Sequence, residues 1–383
     1  MDCSGGRKPA LAHLLSCATM TAPTKPDCVN LRELEALAKE RLSPMAFDYY
    51  VSGACDEITL AENERAYDRI FLAPRMLVDV SRSDLSTEIL GQHASMPILV
   101  APTAFHRLAH PDGEKATARA AAAAGTIFTL STLSTSSIEE VAATGNGTKW
   151  FQLYVYSDRG VTQSLVERAE KERYKAIVLT VDSPMLGRRE RDVRNGFHLP
   201  ADLCVANLMK AGFEQLPPKE RESGLAAYIA TLYNTALTWK DLEWLCSLTK
   251  LPVLVKGVLR PDDALRALEH GAAGIVVSNH GGRQLDTVPA TVTVLPSIVE
   301  AVAGRADVLV DGGIRRGTDV LKALALGAKA VLVGRPVLWG LATDGEQGVL
   351  RVLEMLKAEL DLALVLSGCP SVKEIPRDLI FGN

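Results

Sequence analysis

Residues able to do acid–base chemistry follow directly where an apolar strand is expected to end. The stretch at 274–286 reads GIVVSNHGGRQLD, so that His280 and, after two glycines, Arg283 come after the run GIVV. An imidazole accepts a proton near neutral pH, and a guanidinium binds a carboxylate through two parallel hydrogen bonds. A lone histidine at a strand end is more often a structural residue. Because the glycines allow a sharp turn that aims both side chains at one small molecule, the stretch favours a base beside a carboxylate-binding group.

A second stretch, LTVDSPMLGRRERD at 179–192, supplies partners for that pair. Asp182 follows another expected strand and is available to orient the imidazole of His280. Arg188 and Arg189 offer a second fork for an anion. On its own, this arginine pair would indicate a solvated charge run on a loop. Its interpretation as an anion-binding fork depends on the other candidate site residues.

Lysine and glycine–arginine motifs end three further strands. Lys256 closes the apolar run LPVLVKG, where a buried ammonium needs an anionic partner unless it reaches solvent. DGGIRRG (311–317) and GRP (334–336) combine bare backbone amides with arginine, as phosphate sites of barrels do. The alternative is that these glycines serve only tight turns. From the residues alone we infer a phosphate-bearing cofactor and a carboxylate substrate whose proton is removed by His280.

A repeat of short apolar strands and helical segments must position these side chains. Helical patterning fills the stretches between strands, as in GEKATARAAAAAG (113–125) and RRGTDVLKALALG (315–327). Continuously apolar runs indicate strands buried on both faces, and eight such units predict an α/β fold, a (β/α)₈ TIM barrel. A doubly wound open sheet is the alternative, but no GxGxxG follows the first strand. The eight runs lie at 97–105, 125–132, 150–156, 176–182, 252–257, 274–279, 307–313 and 330–336.

In such a barrel the carboxyl ends of the strands converge on one site. Here those ends are polar around the whole ring, which predicts a shared pocket. The residues concerned are Pro102, Thr103, Ala104, Ser131, Gln152, Tyr154, Thr180, Asp182, Lys256, Ser278, His280, Asp311, Gly334 and Arg335.

Three segments lie outside the repeat. Residues 1–28 are rich in Ser, Thr, Ala and Pro and have few acidic residues, which is typical of a disordered tail or a weak targeting peptide. Residues 29–383 are expected to form a single domain that begins with a helical segment, NLRELEALAKERL, which plugs or flanks the lower end of the barrel. About seventy residues separate strands four and five, and their polar stretch at 216–224 predicts a lid or partial disorder.

Composition excludes several classes of protein. A net charge of −4 and an aromatic content of 5% argue against a nucleic-acid surface. No apolar run approaches the roughly 20 residues that span a bilayer, so we expect a soluble protein. The 7 cysteines form no CxxC pair or zinc-like cluster, which favours a reducing intracellular compartment without a bound metal. The C-terminal IFGN is not an SKL-type signal, so peroxisome, mitochondrion and cytoplasm all stay open.

Taken together, the motifs resemble those of the FMN-dependent 2-hydroxy-acid oxidase family, which includes glycolate oxidase, L-lactate oxidase and mandelate dehydrogenase. The resemblance covers residues 29–375. It implies FMN in a (β/α)₈ barrel, and oxidation of an L-2-hydroxy acid to a 2-oxo acid with reduction of O₂ to H₂O₂. It is carried, in order, by FDYYVSGACDEITL (47–60), PILVAPTAF (97–105), WFQLYVYSDRG (150–160), LTVDSPMLGRRERD (179–192), LVKGV (254–258), SNHGGRQLD (278–286), DGGIRRGTDV (311–320) and GRPVLWGLA (334–342).

By motif matching, the resemblance also implies roles for single residues. His280 is the base in either order of hydrogen removal, hydride first or proton first, and Asp182 orients it. The substrate carboxylate and hydroxyl are contacted by Arg189, Arg283, Tyr49 and Tyr154. Lys256 lies by the flavin N1–O2 edge, and the other cofactor contacts are Pro102, Thr103, Ala104, Ser131, Gln152, Thr180 and Ser278 around the ring system, with Asp311, Gly313, Arg315, Gly334 and Arg335 around the ribityl chain and phosphate.

Departures from the family pattern bear on the substrate and the electron acceptor. Plant-type glycolate oxidases carry a tryptophan in an SSWA-like run where this chain has STLST with Leu133, and PTAF (102–105) differs from their PTAM. We therefore expect strict glycolate preference to be weakened in favour of L-lactate. Ala104 matches the oxidases, whereas membrane mandelate dehydrogenases tend to carry glycine, so O₂ is the expected acceptor.

Two alternative functions stay open beside the oxidase. The first is the same oxidation carried out as a dehydrogenase that passes electrons to a quinone or another carrier. The second is a flavin-binding barrel without redox turnover, against which the complete set of His280, Arg283 and Arg189 argues. The family's habit of forming tetramers makes a homo-oligomer the expected assembly.

Overall fold

The computed structural model describes residues 28–211, 225, 228 and 232–382. The expected tail lies outside the described residues except for Cys28, and so does the polar stretch 216–224. Among the described helices, none is long and apolar enough to cross a membrane.

The chain before the barrel forms three helices and a two-stranded hairpin. The side chain of Asn30 accepts hydrogen bonds from the first backbone N–H groups of the first helix, and the Ser43 side chain does the same before Pro44 in the second. Such caps satisfy donors that have no partner within the helix. The elements are α1 (Leu31–Arg41), α2 (Pro44–Val51), α3 (Ile58–Asp68), β1 (Thr87–Ile89) and β2 (Gln92–Ala94).

Eight parallel strands close into a barrel in which the last strand pairs with the first. Each expected apolar run overlaps one of them, and β5 and β7 each extend one residue beyond their runs, so the (β/α)₈ prediction is confirmed. The strands are β3 (Ile98–Val100), β4 (Phe128–Leu130), β5 (Lys149–Leu153), β6 (Ile177–Thr180), β7 (Val253–Val258), β8 (Gly274–Val277), β9 (Asp307–Asp311) and β10 (Ala330–Val333).

Side chains of the barrel strands alternate between two buried layers. Leu99, Trp150 and Leu332 belong to a cluster that fills the barrel interior. Ile98 and Val100 belong to the larger cluster between the strands and the surrounding helices. Because neither face meets water, both sets of positions must be apolar, which explains the continuously apolar runs in the sequence.

Helices surround the barrel and follow most strands. Helix α4, in which Ala116 and Ala120 are fully buried, packs against the long last helix, which is kinked at Asp344 and Gly345. The described helices of this layer are α4 (Gly113–Ala123), α5 (Ile138–Ala142), α6 (Arg159–Lys171), α7 (Glu190–Arg194), α8 (Trp239–Leu248), α9 (Pro261–Glu269), α10 (Thr291–Val302), α11 (Gly317–Ala325) and α12 (Arg335–Ser367). Helices α7 and α8 lie in the long connection between β6 and β7.

The amino ends of the barrel strands are closed by the hairpin. The indole N–H of Trp150 donates to Oε1 of Gln92 at 2.8 Å, and the backbone N–H of Leu90 donates to Oδ2 of Asp307 at 2.8 Å. This corrects the expectation that the segment NLRELEALAKERL plugs or flanks the lower end. That segment forms α1, which packs on α12, and Nη1 of Arg41 donates to the carbonyl of Thr343 at 3.2 Å. The hairpin closes the lower end because Ile89 extends the apolar cluster of the barrel interior.

Helices α2 and α3 instead lie at the carboxyl ends of the strands. The backbone N–H of Ala54, after α2, donates to the carbonyl of Gly282 at 2.8 Å. The carbonyl of Asn63 in α3 approaches Gly313 so closely that a Cβ there would lie 2.0 Å from it. The N-terminal helices therefore help to build the functional end of the barrel.

Candidate functional site

One cavity occupies the carboxyl end of the barrel and contains about 1100 Å³ free of protein atoms, part of it open to solvent. The ends of all eight barrel strands and helix α2 line it. Of the residues to which the resemblance gave a role, only Asp182 and Ser278 lie behind the wall of the cavity rather than on it. Those on the wall are Tyr49, Pro102, Thr103, Ala104, Ser131, Gln152, Tyr154, Thr180, Arg189, Lys256, His280, Arg283, Asp311, Gly313, Arg315, Gly334 and Arg335.

His280 and Asp182 form a direct pair across β6 and β8. The His280 Nδ1 atom lies 2.8 Å from Oδ1 of Asp182, and the Ser183 hydroxyl donates to the same oxygen at 2.9 Å. An ionised carboxylate only accepts hydrogen bonds, so Nδ1 carries the imidazole proton and Nε2 is left as the acceptor. His280 has a φ of +58°, and Gly281 and Gly282 follow with φ of +66° and +73°. This run of left-handed residues turns the imidazole back over the strand ends.

Burial and charge set the protonation of this pair. Burial lowers the pKa of His280 below its ordinary value, although the charge and hydrogen bond of Asp182 act in the opposite direction. Burial acts to raise the pKa of Asp182, but His280 and Lys256 outweigh it and hold that pKa below its ordinary value. The imidazole is therefore neutral, and the carboxylate ionised, at neutral pH.

Two guanidinium groups lie beside the imidazole at the edge of the cavity. Arg283 Nη1 donates to the carbonyls of Tyr49 at 2.7 Å and Ser52 at 2.9 Å. These carbonyls end α2, where the helix dipole is negative. Arg189 is buried, and burial together with the nearby charge of Arg283 lowers its pKa to about 10. Two cations held this close together without an equal number of adjacent anions favour the binding of an anion.

Two tyrosines complete this side of the cavity. The ring of Tyr49 stacks on Phe197 with ring centroids 4.1 Å apart, and the ring of Tyr154 stacks on Tyr233 at 4.7 Å. Burial raises the pKa of the Tyr49 hydroxyl and that of the Tyr154 hydroxyl. Both therefore stay protonated and can donate a hydrogen bond to a ligand.

Lys256 finds its anionic partner within the chain. Its Nζ atom lies 2.9 Å from Oδ2 of Asp311 and donates to the Ser278 hydroxyl at 2.8 Å. Burial acts to lower the pKa of Lys256, but the charges of Asp311 and Asp182 raise it overall. The ammonium is therefore charged, and Oδ1 of Asp311 is buried without a hydrogen-bond partner among the described residues.

A chain of hydrogen bonds links the ends of β4, β5 and β6. The Ser131 hydroxyl donates to Oε1 of Gln152 at 3.2 Å, and Nε2 of Gln152 donates to the Thr180 hydroxyl at 3.1 Å. These bonds fix the direction of each polar group along this wall, so the wall presents an ordered set of donors and acceptors.

The arginines that follow β9 and β10 differ in whether their N–H groups are already hydrogen-bonded. Arg335 donates from Nε to the carbonyl of Tyr50 and from Nη2 to those of Ser52 and Gly281, each at 3.0 Å. Arg315 pairs with Glu64 at 2.8 Å, while its buried Nε has no hydrogen-bond partner among the described residues. Its guanidinium lies 4.9 Å from the ring centroid of Trp339, in the first turns of α12. Arg315 and this helix end are therefore the groups able to bind an anion here.

These features fit flavin mononucleotide. The cavity extends over the ends of all eight barrel strands, which is more room than a short hydroxy acid requires. Oδ1 of Asp311 and Nε of Arg315 are buried polar atoms that lack a partner among the described residues, which a ligand with hydroxyl and phosphate groups would supply. The ordered polar wall and the Lys256 ammonium suit the polar edge of a flavin ring system.

Some site residues were missed from the sequence. Gln284 donates from Nε2 to the carbonyl of Asp182 at 3.1 Å and accepts from the backbone N–H of Gly187 at 3.2 Å. It thereby joins the loops that carry His280 and Arg189. No motif around Gln284 predicts that its side chain bonds to these two residues. Ser183 could have been found, because it follows Asp182 directly.

Comparison with known proteins agrees with this geometry. Residues 38–381 match the family model described as FMN-dependent dehydrogenase. An L-lactate oxidase of Nostoc sp. is 58% identical over 360 residues, which cover 93% of this chain and 98% of that protein. A glycolate oxidase of Spinacia oleracea is 55% identical over 357 residues, 93% of this chain and 96% of that protein. The crystal structure of a mandelate oxidase with (S)-4-hydroxymandelic acid superposes with a TM-score of 0.88 at 47% identity and covers 91% of this chain and 98% of that one. The chain therefore belongs to the FMN-dependent dehydrogenase family.

Proposed function

We propose that this protein oxidises short L-2-hydroxy acids, L-lactate and glycolate, to 2-oxo acids and passes the electrons through FMN to O₂, with H₂O₂ as the second product. The observation that carries the proposal is the neutral His280, paired with Asp182 at 2.8 Å, on the same cavity wall as Arg189 and Arg283. A proton acceptor beside two carboxylate-binding groups matches the chemistry of a 2-hydroxy acid.

The described residues suggest how FMN would be held. Lys256 and the chain from Ser131 through Gln152 to Thr180 would contact the ring system, with Pro102, Thr103 and Ala104 on the same wall. Ser278 would act from behind this wall, through the hydrogen bond that it accepts from Lys256 at 2.8 Å. Bound FMN supplies a two-electron acceptor. A fixed ammonium by its polar edge favours the reduced state, because that state carries more negative charge. The ribityl and phosphate contacts would be Asp311, Gly313, Arg315, Gly334 and Arg335.

His280 would take the proton of the substrate at Nε2. Asp182 holds Nδ1–H at 2.8 Å and so fixes the tautomer in which Nε2 is free to accept. When the imidazole becomes charged, the adjacent carboxylate stabilises it. Asp182 thus acts as the orienting and charge-balancing partner of the base.

Arg189 and Arg283 would bind the substrate carboxylate, with the Tyr49 and Tyr154 hydroxyls as further donors. Nη1 of Arg283 donates to the carbonyl of Tyr49 near the end of α2. Nε of Arg189 donates to the backbone carbonyl of Arg283 at 3.4 Å. Groups fixed in this way bind the carboxylate in one orientation. Such positioning accelerates the reaction without any change in its chemistry.

An apolar wall favours a substrate with a small carbon tail. Leu133 is buried and lines the cavity together with Leu186 and Leu225. A methyl group gains from contact with such a wall, whereas glycolate has no tail to place there. The similar proteins include both an L-lactate oxidase and glycolate oxidases. We therefore propose that L-lactate is accepted at least as well as glycolate.

The experiment that tests the proposal measures kcat/KM for L-lactate and glycolate with H₂O₂ recorded alongside. The proposed function requires turnover of at least one of these acids and one H₂O₂ for each 2-oxo acid formed. Reduction of an anaerobic dye without H₂O₂ release in air would instead support the dehydrogenase that uses a quinone or another carrier. Absence of turnover with either acid would reject the proposal.

We also propose that residues 29–383 act as one domain and that copies of it associate as a homotetramer. Exposed apolar side chains support self-association: Phe71 is 67% exposed and Phe381 is 73% exposed, and the two segments that carry them are joined by a backbone hydrogen bond of 2.9 Å. Light scattering on the FMN-loaded enzyme should give four chains per particle. A monomer at micromolar concentration would contradict the proposed assembly.

A further inference from the structure

Asp192 is a buried carboxylate that none of the roles above uses. It lies on α7, one turn after Arg189, and is 1% exposed. Neither of its oxygens accepts a hydrogen bond from the described residues. Buried carboxylates are ordinarily hydrogen-bonded or paired at close range, because an ionised group without partners is costly to bury. An acid kept in this condition next to the site needs an explanation.

The charged groups around Asp192 belong to the carboxylate-binding end of the cavity. Nη1 of Arg189 lies 3.9 Å from Oδ2 of Asp192, within ion-pair range but beyond a hydrogen bond. Burial raises the pKa of Asp192 above its ordinary value, with the charge of Asp48 acting in the same direction and the charges of Arg283 and Arg189 acting against it. The charge of Asp48 is already engaged, because Arg191 lies 3.5 Å from Oδ1 and the Asn195 side chain donates to Oδ2 at 2.8 Å.

Counting charges at this end of the cavity gives a simple result. Arg189 and Arg283 contribute two positive charges, and an ionised Asp192 contributes one negative charge. Arg335, whose charge acts on both arginines and which donates to the same Ser52 carbonyl as Arg283, is left out of the count because its proposed partner is the phosphate of FMN. The remainder is one net positive charge, which is the charge that a single bound carboxylate neutralises. A second carboxylate on the same ligand would meet no matching cation in a site of low dielectric constant.

We propose that Asp192 is a specificity-determining residue that limits this end of the site to one net positive charge, and so makes the enzyme selective for 2-hydroxy acids with a single carboxylate. The inference rests on the proposed function, because it takes Arg189 and Arg283 as the groups that bind the substrate carboxylate. It predicts that dicarboxylic 2-hydroxy acids are poor substrates, which neither arginine would cause by itself.

The test uses two probes of nearly the same shape and different charge. Oxamate is a monoanion and oxalate a dianion at neutral pH, and each is titrated into the FMN-loaded enzyme while the flavin absorbance is recorded. The readout is the oxalate-to-oxamate ratio, defined as the affinity for oxalate divided by the affinity for oxamate. In Asp192→Asn the loss of one negative charge should raise this ratio by about tenfold relative to the wild type. The ratio of kcat/KM for L-lactate to that for L-malate should fall in the same variant.

The matched control is Glu190→Gln on the same helix. Glu190 is partly exposed and pairs with Arg194 at 2.6 Å, away from the cavity, so its loss should leave the oxalate-to-oxamate ratio unchanged. Asp192→Glu keeps the charge and should retain the wild-type ratio. If Asp192→Asn does not fold, Asp192→Ser removes the same charge with a smaller side chain, and the same shift is expected.

A purely structural role for Asp192 would give a different result. In that case Asp192→Asn would lower the Tm without a change in the oxalate-to-oxamate ratio, and this outcome would overturn the inference. Failure of the proposed function is read separately, as a wild-type enzyme whose flavin is not bleached by L-lactate without air. The probe titrations report the charge of the site in either case.

Discussion

Two opposing effects set the pKa of His280, the proposed base of this site. Burial lowers the pKa of His280, and the carboxylate of Asp182 raises it, so the imidazole is neutral in the free enzyme yet can still accept a proton. As pH falls through this pKa, His280 becomes charged and cannot act as a base. We therefore expect kcat/KM to fall on the acid side of a transition that lies below the ordinary pKa of histidine, about 6.5.

Replacing Asp182 by Asn should move this transition and weaken the base. Without the carboxylate the pKa of His280 falls further, so the acid limb of kcat/KM should shift to lower pH. The plateau should drop by about 10²-fold or more, because the charged imidazole is no longer stabilised. A pH–rate profile checks both effects. The control is Ser183→Ala, which keeps the carboxylate, and an unmoved limb with an unchanged plateau in Asp182→Asn would contradict the account.

Leu133 is the residue at which the choice of substrate can be tested. It is 4% exposed and lines the cavity, so a tryptophan there would fill the space next to a substrate tail. We expect Leu133→Trp to lower kcat/KM for L-lactate by about tenfold relative to glycolate. Leu133→Met, which keeps the volume, serves as the control. Equal losses for both acids would show that this wall does not contact the tail.

Single residues were predictable from the sequence only where a local motif carried them. His280 with Arg283, and Asp182 with Arg189, were predicted because polar groups follow apolar runs. The structure places His280, Arg283 and Arg189 on one cavity, with Asp182 behind the wall and paired with His280. The hydrogen bonds of Arg335 to carbonyls of α2 could not be foreseen, since the partners lie far away in the chain. The assigned roles stay predictions until variants are measured.

Among the secondary-structure elements, one close approach joins α3 to the functional end of the barrel. Gly313 has a φ of +81°, and a Cβ on it would lie 2.0 Å from the carbonyl of Asn63. The side chain of Asn63 in turn donates to Asn279, next to His280, at 3.0 Å. Displacement of α3 would therefore disturb the base as well as the fold.

Replacing Gly313 by Ala should cost at least about 3 kcal/mol of unfolding free energy, because backbone strain and the clash with Asn63 add. Gly304→Ala is the matched control. Gly304 has a φ of +72°, but a Cβ on it would meet no described atom within 4 Å, so only the strain of about 1 kcal/mol remains. Urea unfolding measures both values. Equal losses in the two variants would show that the approach of α3 to Gly313 does not matter.

The sequence revealed some elements better than others for a physical reason. The eight barrel strands were recognisable because burial on both faces demands continuous apolar runs. The hairpin of β1 and β2 was missed, since each strand has three residues and the middle one is exposed. The segment NLRELEALAKERL was expected at the lower end but forms α1 and packs on α12. A helical pattern indicates that a helix forms but not which element it packs against.

For the whole molecule, the barrel should fold without FMN but become more stable with it. Its core is formed by the chain alone, whereas the buried Nε of Arg315 and Oδ1 of Asp311 lack partners among the described residues. FMN at about 100 times its Kd should add about 2.7 kcal/mol, seen as a rise in Tm of the apoprotein. Riboflavin, which lacks the phosphate, should raise the Tm less at the same concentration. Equal shifts for the two ligands would contradict the assignment of a phosphate site near Arg315.

The central claim is that His280 removes the proton of an L-2-hydroxy acid held beside FMN. The most direct test mixes FMN-loaded enzyme with L-lactate in the absence of air and follows the yellow flavin absorbance in the wild type and in His280→Ala. The account predicts that the wild type bleaches, and that the variant binds FMN as well but bleaches at least about 10²-fold more slowly. Bleaching of the variant at the wild-type rate would contradict the claim.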